Sequence, residues 1–436
     1  MRLSLLKKGQ LPLSFAALIL FGVLLLQLPG VLRSGERLSL LDTAFTACSA
    51  VCLNGLAVIP LTEFSFLGQI IILLLIQLGC FGILALSAMI LLMLGRGLSF
   101  SNTLVMYNLN DRFSLGCTES LVKTIASYTL ISEAAGAVLM FPGFLLNGTG
   151  FWESLWYAVF YSVGSFCNSG VGPAVNGDLA SCGRYIQCVS MVLIILGGIG
   201  VYVIYDLIER ICRREHRIRL HSRIVLVTTG VLLVLGSVVL YLSSFAPSGE
   251  TLKFFDAVFL SVTSRTAGYS TVAVGNLPSS CVIAVIILML IGGSPGSTAG
   301  GIKTSTAAVA FAALISSFKG DDEVIISGRS IAWRCVLRSF TIIVIFLILS
   351  AFGALLLSAF SPKLDELQCF FEAVSALSGT GLSMNGATRL LSSEGKILIM
   401  IFMFAGRVGP LTIILFFVGR EKPGRLRYPE ERVIVG

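Results

Sequence analysis

The chain has 436 residues, of which 56% are hydrophobic and 12% charged, about half the charged share of a soluble globular domain. With a formal net charge of +8 and a mean hydropathy of +0.93, this composition excludes a soluble globular protein. The 11 cysteines are an odd number, scattered, with no C-x-x-C pair, which argues against both a disulfide framework and a zinc site.

The first apolar run, 11–32, follows the basic residues Arg2, Lys7 and Lys8. It lacks a small-residue cleavage motif and its apolar core exceeds that of a signal peptide, so it is expected to be an uncleaved first span. Runs of about 20 apolar residues, the length that crosses the hydrocarbon, then recur in pairs. The pairs are 11–32 with 65–95, 119–147 with 183–209, 224–245 with 280–318, and 336–360 with 395–419.

Basic linkers separate the pairs. Arg96 and Arg112 lie in the first. Arg210, Arg213, Arg214, Arg217, Arg219 and Arg223 crowd the second, and Lys319, Arg329, Arg334 and Arg338 flank the third. Arg420, Lys422, Arg425, Arg427 and Arg432 fill the tail. By the positive-inside rule these segments and both termini face the cytoplasm of a multi-pass cell-membrane protein. Topology thus accounts for the arginines without a nucleic-acid partner. Two spans per unit return the chain to the same side, so the units are parallel repeats around an axis along the membrane normal. Their expected bounds are 1–100, 101–215, 216–320 and 321–436.

Between the two spans of each unit lies a short apolar stretch ending in small or polar residues and a glycine. The stretches are LLDTAFTACSAVCLNGL (40–56), WYAVFYSVGSFCNSGV (156–171), FFDAVFLSVTSRTAGY (254–269) and LQCFFEAVSALSGTGL (367–382). Phe45, Phe160, Phe259 and Phe371 precede the glycines by nine or ten residues, and Ser49, Gly164 and Ser375 precede three of them by six. Segments this short cannot span a bilayer and read as re-entrant half-helices, whose non-helical ends survive only where they line a water-filled cavity. The expected pore loops are 41–56, 153–171, 254–269 and 367–382. Four of them meeting at one axis make a central pore. Their helix C-termini, each about −0.5 charge, favour a cation, and rings of backbone carbonyls replace its hydration shell. The candidate ion-binding residues are Val51, Cys52, Leu53, Asn54 and Gly55, then Cys167, Asn168, Ser169 and Gly170, then Thr266, Ala267 and Gly268, and last Gly379, Thr380 and Gly381.

The second span of the third unit is interrupted by IGGSPGSTAGGIKTST (291–306). Two catalytic readings arise there. Gly292 to Gly296 fits the G-x-S-x-G elbow of serine hydrolases, and GSTAGGIKT misses the phosphate-loop spacing by one residue because Ile302 is inserted before Lys303. A serine protease needs a general base near its serine. The chain's two histidines, His216 and His221, both lie in a basic linker, which leaves only a Ser294–Lys303 dyad. A broken helix lining a cavity needs neither chemistry. On that reading Gly292, Gly293, Ser294, Pro295, Gly296, Gly300, Gly301 and Lys303 form a gate over 291–304, joined by Arg407 from the middle of the last span. A cation at that depth costs about 2.5–3.5 kcal/mol on insertion scales and usually faces a cavity. Glu133, also within an apolar run, needs a partner; Arg265 is one candidate, and a hydrogen bond to backbone without an ion pair is the other.

SVTSRTAGYST (261–271), IGGSPGSTAGGIKT (291–304), FEAVSALSGTGLS (371–383) and GRVGPLT (406–412) closely match signatures of the Trk/Ktr/HKT superfamily of potassium transporters. The chain resembles that family from about Leu11 to Arg420, and its Ktr-type membrane subunit more than the larger Trk proteins. The resemblance implies an all-α membrane fold of four M1–pore loop–M2 repeats, with eight transmembrane helices and four half-helices. It implies potassium uptake by a homodimer, with K+ as the transported ion and no covalent cofactor. Na+ remains open as a coupling ion for symport. It implies a separate cytoplasmic ring of nucleotide-binding regulatory subunits (RCK type), and it places Arg407 below the filter as a charge barrier. Asn54 stands where the family usually has threonine, and Cys167 where asparagine is common. Gly55 favours potassium over sodium, because plant relatives with serine there carry sodium.

Overall fold

The computed structural model describes residues 2–93, 118–173, 179–212, 218–246, 249–321 and 323–410. Arg96, Arg112, Arg213, Arg214, His216, Arg217 and the tail from Arg420 lie outside the described residues, as do the expected boundaries near 100 and 215.

The described chain is almost wholly helical. In order come α1 (Arg2–Leu26), α2 (Leu40–Cys52), α3 (Phe66–Met93), α4 (Thr118–Leu146), α5 (Phe151–Cys167), α6 (Arg184–Ile199) and α7 (Val201–Cys212). They are followed by α8 (Leu220–Ser243), α9 (Phe254–Thr263), α10 (Ser279–Leu290), α11 (Thr304–Lys319), α12 (Trp333–Phe360), α13 (Glu366–Ser378) and α14 (Ser393–Val408). A two-residue hairpin, Ile325–Ile326 with Arg329–Ser330, joins α11 to α12.

Four of these helices, α2, α5, α9 and α13, have 13, 17, 10 and 13 residues. At 1.5 Å per residue none is long enough to cross about 30 Å of hydrocarbon. Each packs between the helix before it and the helix after it. Each also leans on a helix from an earlier part of the chain: α5 on α3, α9 on α6, and α13 on α10. The circle closes where α2 packs on α14. Phe45, Phe160, Phe259 and Phe371 sit one per short helix and are all fully buried, so the same aromatic anchors every short helix to its surroundings.

Outward faces are apolar. On α8, Val227, Val231, Val234, Leu235 and Leu242 are exposed; on α12, Leu337, Val344, Leu347, Ile348 and Leu355 are. Apolar surface on this scale is covered by something other than water in a native protein, and lipid fits helices of this length. Among the described residues, Thr124–Leu146, Leu220–Ser243 and Trp333–Phe360 are long and apolar enough to cross a membrane singly.

The expected second spans are less regular than their sequences suggest. In 183–209 the chain bends by 94° between α6 and α7, at Gly200, whose φ of +87° lies where a side chain is costly. The run 280–318 is split into α10 and α11, as the sequence anticipates. Helix α14 stops at Gly409, φ +93°, directly before Pro410. Only in α3 does the helix run on, to Met93.

Candidate ion-binding site and intramembrane loop

The turns that end the short helices share one backbone solution. Two residues before each glycine the chain turns left-handed: Leu53 (φ +55°), Asn168 (+56°), Thr266 (+75°) and Gly379 (+72°). The glycines follow at +94°, +66°, +78° and +82° for Gly55, Gly170, Gly268 and Gly381. In three units the closing hydrogen bonds are equivalent. Asn54 N donates to Ser49 O at 3.0 Å, Ser169 N to Gly164 O at 2.9 Å and Thr380 N to Ser375 O at 2.9 Å, the long bond of a Schellman cap. A left-handed side-chain residue costs roughly 1–2 kcal/mol, and Leu53, Asn168 and Thr266 are three of the five described non-glycine residues with positive φ. The strain is concentrated at one place in the fold.

The four turns meet. A methyl placed on Gly55 would lie 2.5 Å from the Ser169 carbonyl oxygen, on Gly170 2.8 Å from Ala267 O, and on Gly268 2.5 Å from Thr380 O. On Gly381 it would run into Asn54 O. Each glycine thus faces the carbonyl one residue ahead of the next unit's glycine, and the fourth returns to the first. These four contacts describe a closed ring of backbone with no room for Cβ. A second tier lies beneath. Gly79, Gly197 and Gly406 press on the carbonyls of Val51, Phe166 and Leu377, each four residues ahead of a ring glycine, and Gly300 presses on that of Ser378.

Side chains brace the ring. Asn54, fully buried, donates through Nδ2 to Ala376 O at 2.9 Å and Ser375 O at 3.3 Å, tying the first turn to α13. Ser49 Oγ accepts from Gly55 N at 3.1 Å, Thr263 Oγ1 donates to Tyr269 O at 2.6 Å, and Tyr269 OH donates to Val171 O at 3.0 Å. The Asn168 amide and the Thr266 hydroxyl are buried yet bond no described protein group. Val51, Cys52 and Cys167 lie in the last helical turns of α2 and α5, not in the non-helical turns; Leu53–Gly55, Asn168–Gly170, Thr266–Gly268 and Gly379–Gly381 form those.

The 291–303 loop is a closed structure. Gly292 N bonds Ile302 O and Ile302 N bonds Leu290 O, both at 3.0 Å, and Thr304 N bonds Gly293 O at 3.0 Å, so α10 and α11 stay in register across the break. The loop fits against the bend at Gly200. Ser294 N donates to Gly198 O at 3.0 Å, Val201 N to Gly296 O at 3.1 Å, and the Ser294 hydroxyl to Ile199 O. Thr298 Oγ1 reaches Gly197 O at 3.2 Å and Phe166 O at 3.3 Å. Two interruptions therefore satisfy each other's backbone groups, the condition for irregular chain at membrane depth.

Arg407 is half-buried and donates to Thr298 O at 2.5 Å and Gly79 O at 2.8 Å, clasping the loop to α3. Lys303 turns back on its own loop, to Ala299 O at 2.6 Å and Gly300 O at 3.4 Å. Neither cation forms an ion pair among the described residues. Ser294 gives its hydroxyl to backbone and makes no bond with Lys303, so the dyad a protease would need is not assembled.

Glu133 does not pair with Arg265. Its carboxylate accepts from Gln77 Nε2 at 3.0 Å and from the Cys167 thiol at 3.6 Å, while Arg265 donates to Gly292 O at 3.3 Å. Sequence spacing could not reveal Gln77, 56 residues away on α3. Glu133→Leu is expected to cost about 1–3 kcal/mol, because the half-buried Gln77 amide loses its hydrogen bond to a carboxylate. Thermal unfolding of the detergent-solubilised protein reads that loss, and Glu133→Gln should recover most of it.

Comparison with known proteins accords with this geometry. The TrkH family of cation transport proteins matches residues 23–423. The chain is 33% identical to the potassium/sodium uptake protein NtpJ of Enterococcus hirae, over 97% of this chain and 95% of that one. It is 32% identical to the Ktr system potassium uptake protein B of Vibrio alginolyticus, over 97% and 94%. The crystal structure of the potassium transporter TrkH from Vibrio parahaemolyticus superposes with a TM-score of 0.69 at 19% identity, covering 92% of this chain and 84% of that one, and it shares the fold. The chain belongs to the TrkH family of cation transport proteins and is a transporter, not an enzyme.

Proposed function

We propose that the protein takes up potassium across the cell membrane through a central pore whose selectivity filter is the glycine ring. The observation that carries this is the closed circuit of four positive-φ glycines, each against the next unit's carbonyl. A dehydrated K+ needs several carbonyl oxygens at fixed distances, and a ring without Cβ atoms lets four turns of the one chain approach closely enough to supply them. The unpartnered Asn168 and Thr266 polar atoms suit a surface that meets ions or their water. On this reading the four units are M1–pore loop–M2 repeats bounded near residues 100, 215 and 320, with eight spans and both termini cytoplasmic. Of the candidate residues named from the sequence, Leu53–Gly55, Asn168–Gly170, Thr266–Gly268 and Gly379–Gly381 line the filter, and Val51, Cys52 and Cys167 support it from the helix ends.

The 291–303 loop with Arg407 acts as the gate below the filter. Its Gly300 presses on the Ser378 carbonyl just ahead of the fourth filter turn, and Arg407, bonded to Thr298 O, adds a positive charge to it. A homodimer and a separate cytoplasmic nucleotide-binding ring complete the transporter; relatives named as proteins B and D of a Ktr system support a multi-component assembly. A mixed potassium and sodium specificity is the second reading, favoured by the relative named for both ions. Na+ coupling would fit either.

Expression in cells lacking their own potassium uptake should restore growth at low external potassium. Failure to rescue, with the protein present in the membrane, contradicts the proposal. Rescue with equal preference for Na+ supports the second reading.

A further inference from the structure

Of the four filter turns, the fourth is the least constrained by its own residues. Where the others place Leu53, Asn168 or Thr266 two positions before the glycine, it places Gly379, so two of its three residues are glycines. Glycine loses the most conformational freedom on ordering, and this turn must be held from outside.

Glu372 is placed to do that. It lies in the middle of α13 and is fully buried, and no described cation pairs with it. Its carboxylate instead accepts three hydrogen bonds from the segment that leaves the filter. Ser383 Oγ donates at 2.6 Å, Met384 N at 3.1 Å and Thr388 Oγ1 at 2.8 Å. Thr388 N also donates to Ser383 Oγ at 3.3 Å, and the two hydroxyl oxygens lie 3.0 Å apart, so the partners form one knot directly after Gly381. Inside the turn, Ser375 Oγ donates to Leu382 O at 2.7 Å, and the Ser378 and Thr380 hydroxyls bond at 2.6 Å.

Among the described residues no other unit has such an anchor. At the matching helix position, the residue after the buried phenylalanine, stand Thr46, Tyr161 and Leu260. Thr46 bonds its own helix at Asp42 O, Tyr161 offers a ring against Gly172, and Leu260 offers no polar group. The acid therefore belongs to the one turn that carries two glycines. Hydrogen bonds to a charged acceptor are about twice as strong as neutral ones, which suits a single side chain that must fix a flexible segment.

We infer that Glu372 is a specificity-determining positioning residue: its carboxylate fixes segment 382–388 and thereby the Gly379–Gly381 carbonyls, setting the preference for K+ over Na+. The inference rests on the filter reading above. It assigns Glu372 no contact with the ion.

The test is Na+ competition against Rb+ uptake in liposomes, with the full-length protein at matched amounts. Glu372→Gln keeps the shape but gives up the charge and one acceptor, and Thr388→Val removes one donor while keeping the acid. Each should lower the preference for K+ about tenfold or less, and the double variant should fall little further than the worse single one, because both break one network. A merely structural role would lower the amount of protein in the membrane and leave the ion ratio unchanged. Gly381→Ser is run alongside. If it shifts the ratio while Thr388→Val and Glu372→Gln do not, this inference is overturned and the filter reading stands. If none of the three shifts it, the filter reading itself fails. Should Glu372→Gln not reach the membrane, an unchanged ratio in Thr388→Val and Ser383→Ala overturns the inference alone.

Discussion

Gly381→Ser is expected to abolish most of the preference for K+ over Na+, with a larger effect than the same change at Gly55, Gly170 or Gly268. The ranking follows from the ring. A Cβ at Gly381 runs deepest into its neighbour, the Asn54 carbonyl, while at Gly170 the nearest oxygen is 2.8 Å away. Each site also carries a φ between +66° and +94°, which adds roughly 1–2 kcal/mol of strain for any L side chain. The ring must open at the substituted position, and the carbonyls then coordinate a small ion with adaptable hydration as readily as K+. A loss of about 1.4 kcal/mol of discrimination is tenfold, and at Gly381 the expected loss is at least that. Na+ competition against Rb+ uptake measures it. An unchanged ratio in all four variants removes the filter assignment.

If the 291–303 loop gates the pore as proposed, shortening it by deleting Gly296–Gly300 is expected to raise ion flux and weaken its regulation. The deletion takes out Thr298, and with it the carbonyl that holds Arg407 and the hydroxyl that holds Gly197 and Phe166. Arg407→Ala tests the charge separately. At an effective dielectric of about 20, a unit charge about 8 Å from a passing cation raises its energy by about 2 kcal/mol, or roughly 30-fold in rate. Both variants should therefore conduct faster in liposomes than the parent protein. A shortened protein that inserts normally but conducts less would make the loop a support for α10 and α11 instead of a gate.

The sequence made the class, the family and the helical character legible, because apolar runs, basic linkers and glycine-rich signatures are local patterns. The left-handed turns were half legible. Gly55, Gly170, Gly268 and Gly381 stand out in register, but nothing in the composition of Leu53, Asn168 or Thr266 announces a positive φ; tertiary packing overrides their preference. The bend at Gly200 and the stop at Gly409 went unread, although GGIG (197–200) and GRVGP (406–410) resemble the glycine-rich break that was read at 291–306. Glu133 shows the limit of pairing by charge. Its partners are an amide and a thiol from two other helices, which only the folded chain brings together, and Arg265 serves the loop instead. Glu372 was hidden for a related reason: its three partners are two hydroxyls and a backbone N–H, types too common to signal an anchor.

On the proposed reading, the glycine ring conducts potassium. Purified protein in sealed liposomes, with inward Rb+ uptake followed against rising external K+ or Na+, addresses it most directly. The account predicts uptake that K+ suppresses at much lower concentration than Na+ and that Gly381→Ser renders nearly indifferent to the two. Uptake absent from the parent protein, or equally suppressed by both ions in the parent and in Gly381→Ser, would contradict it.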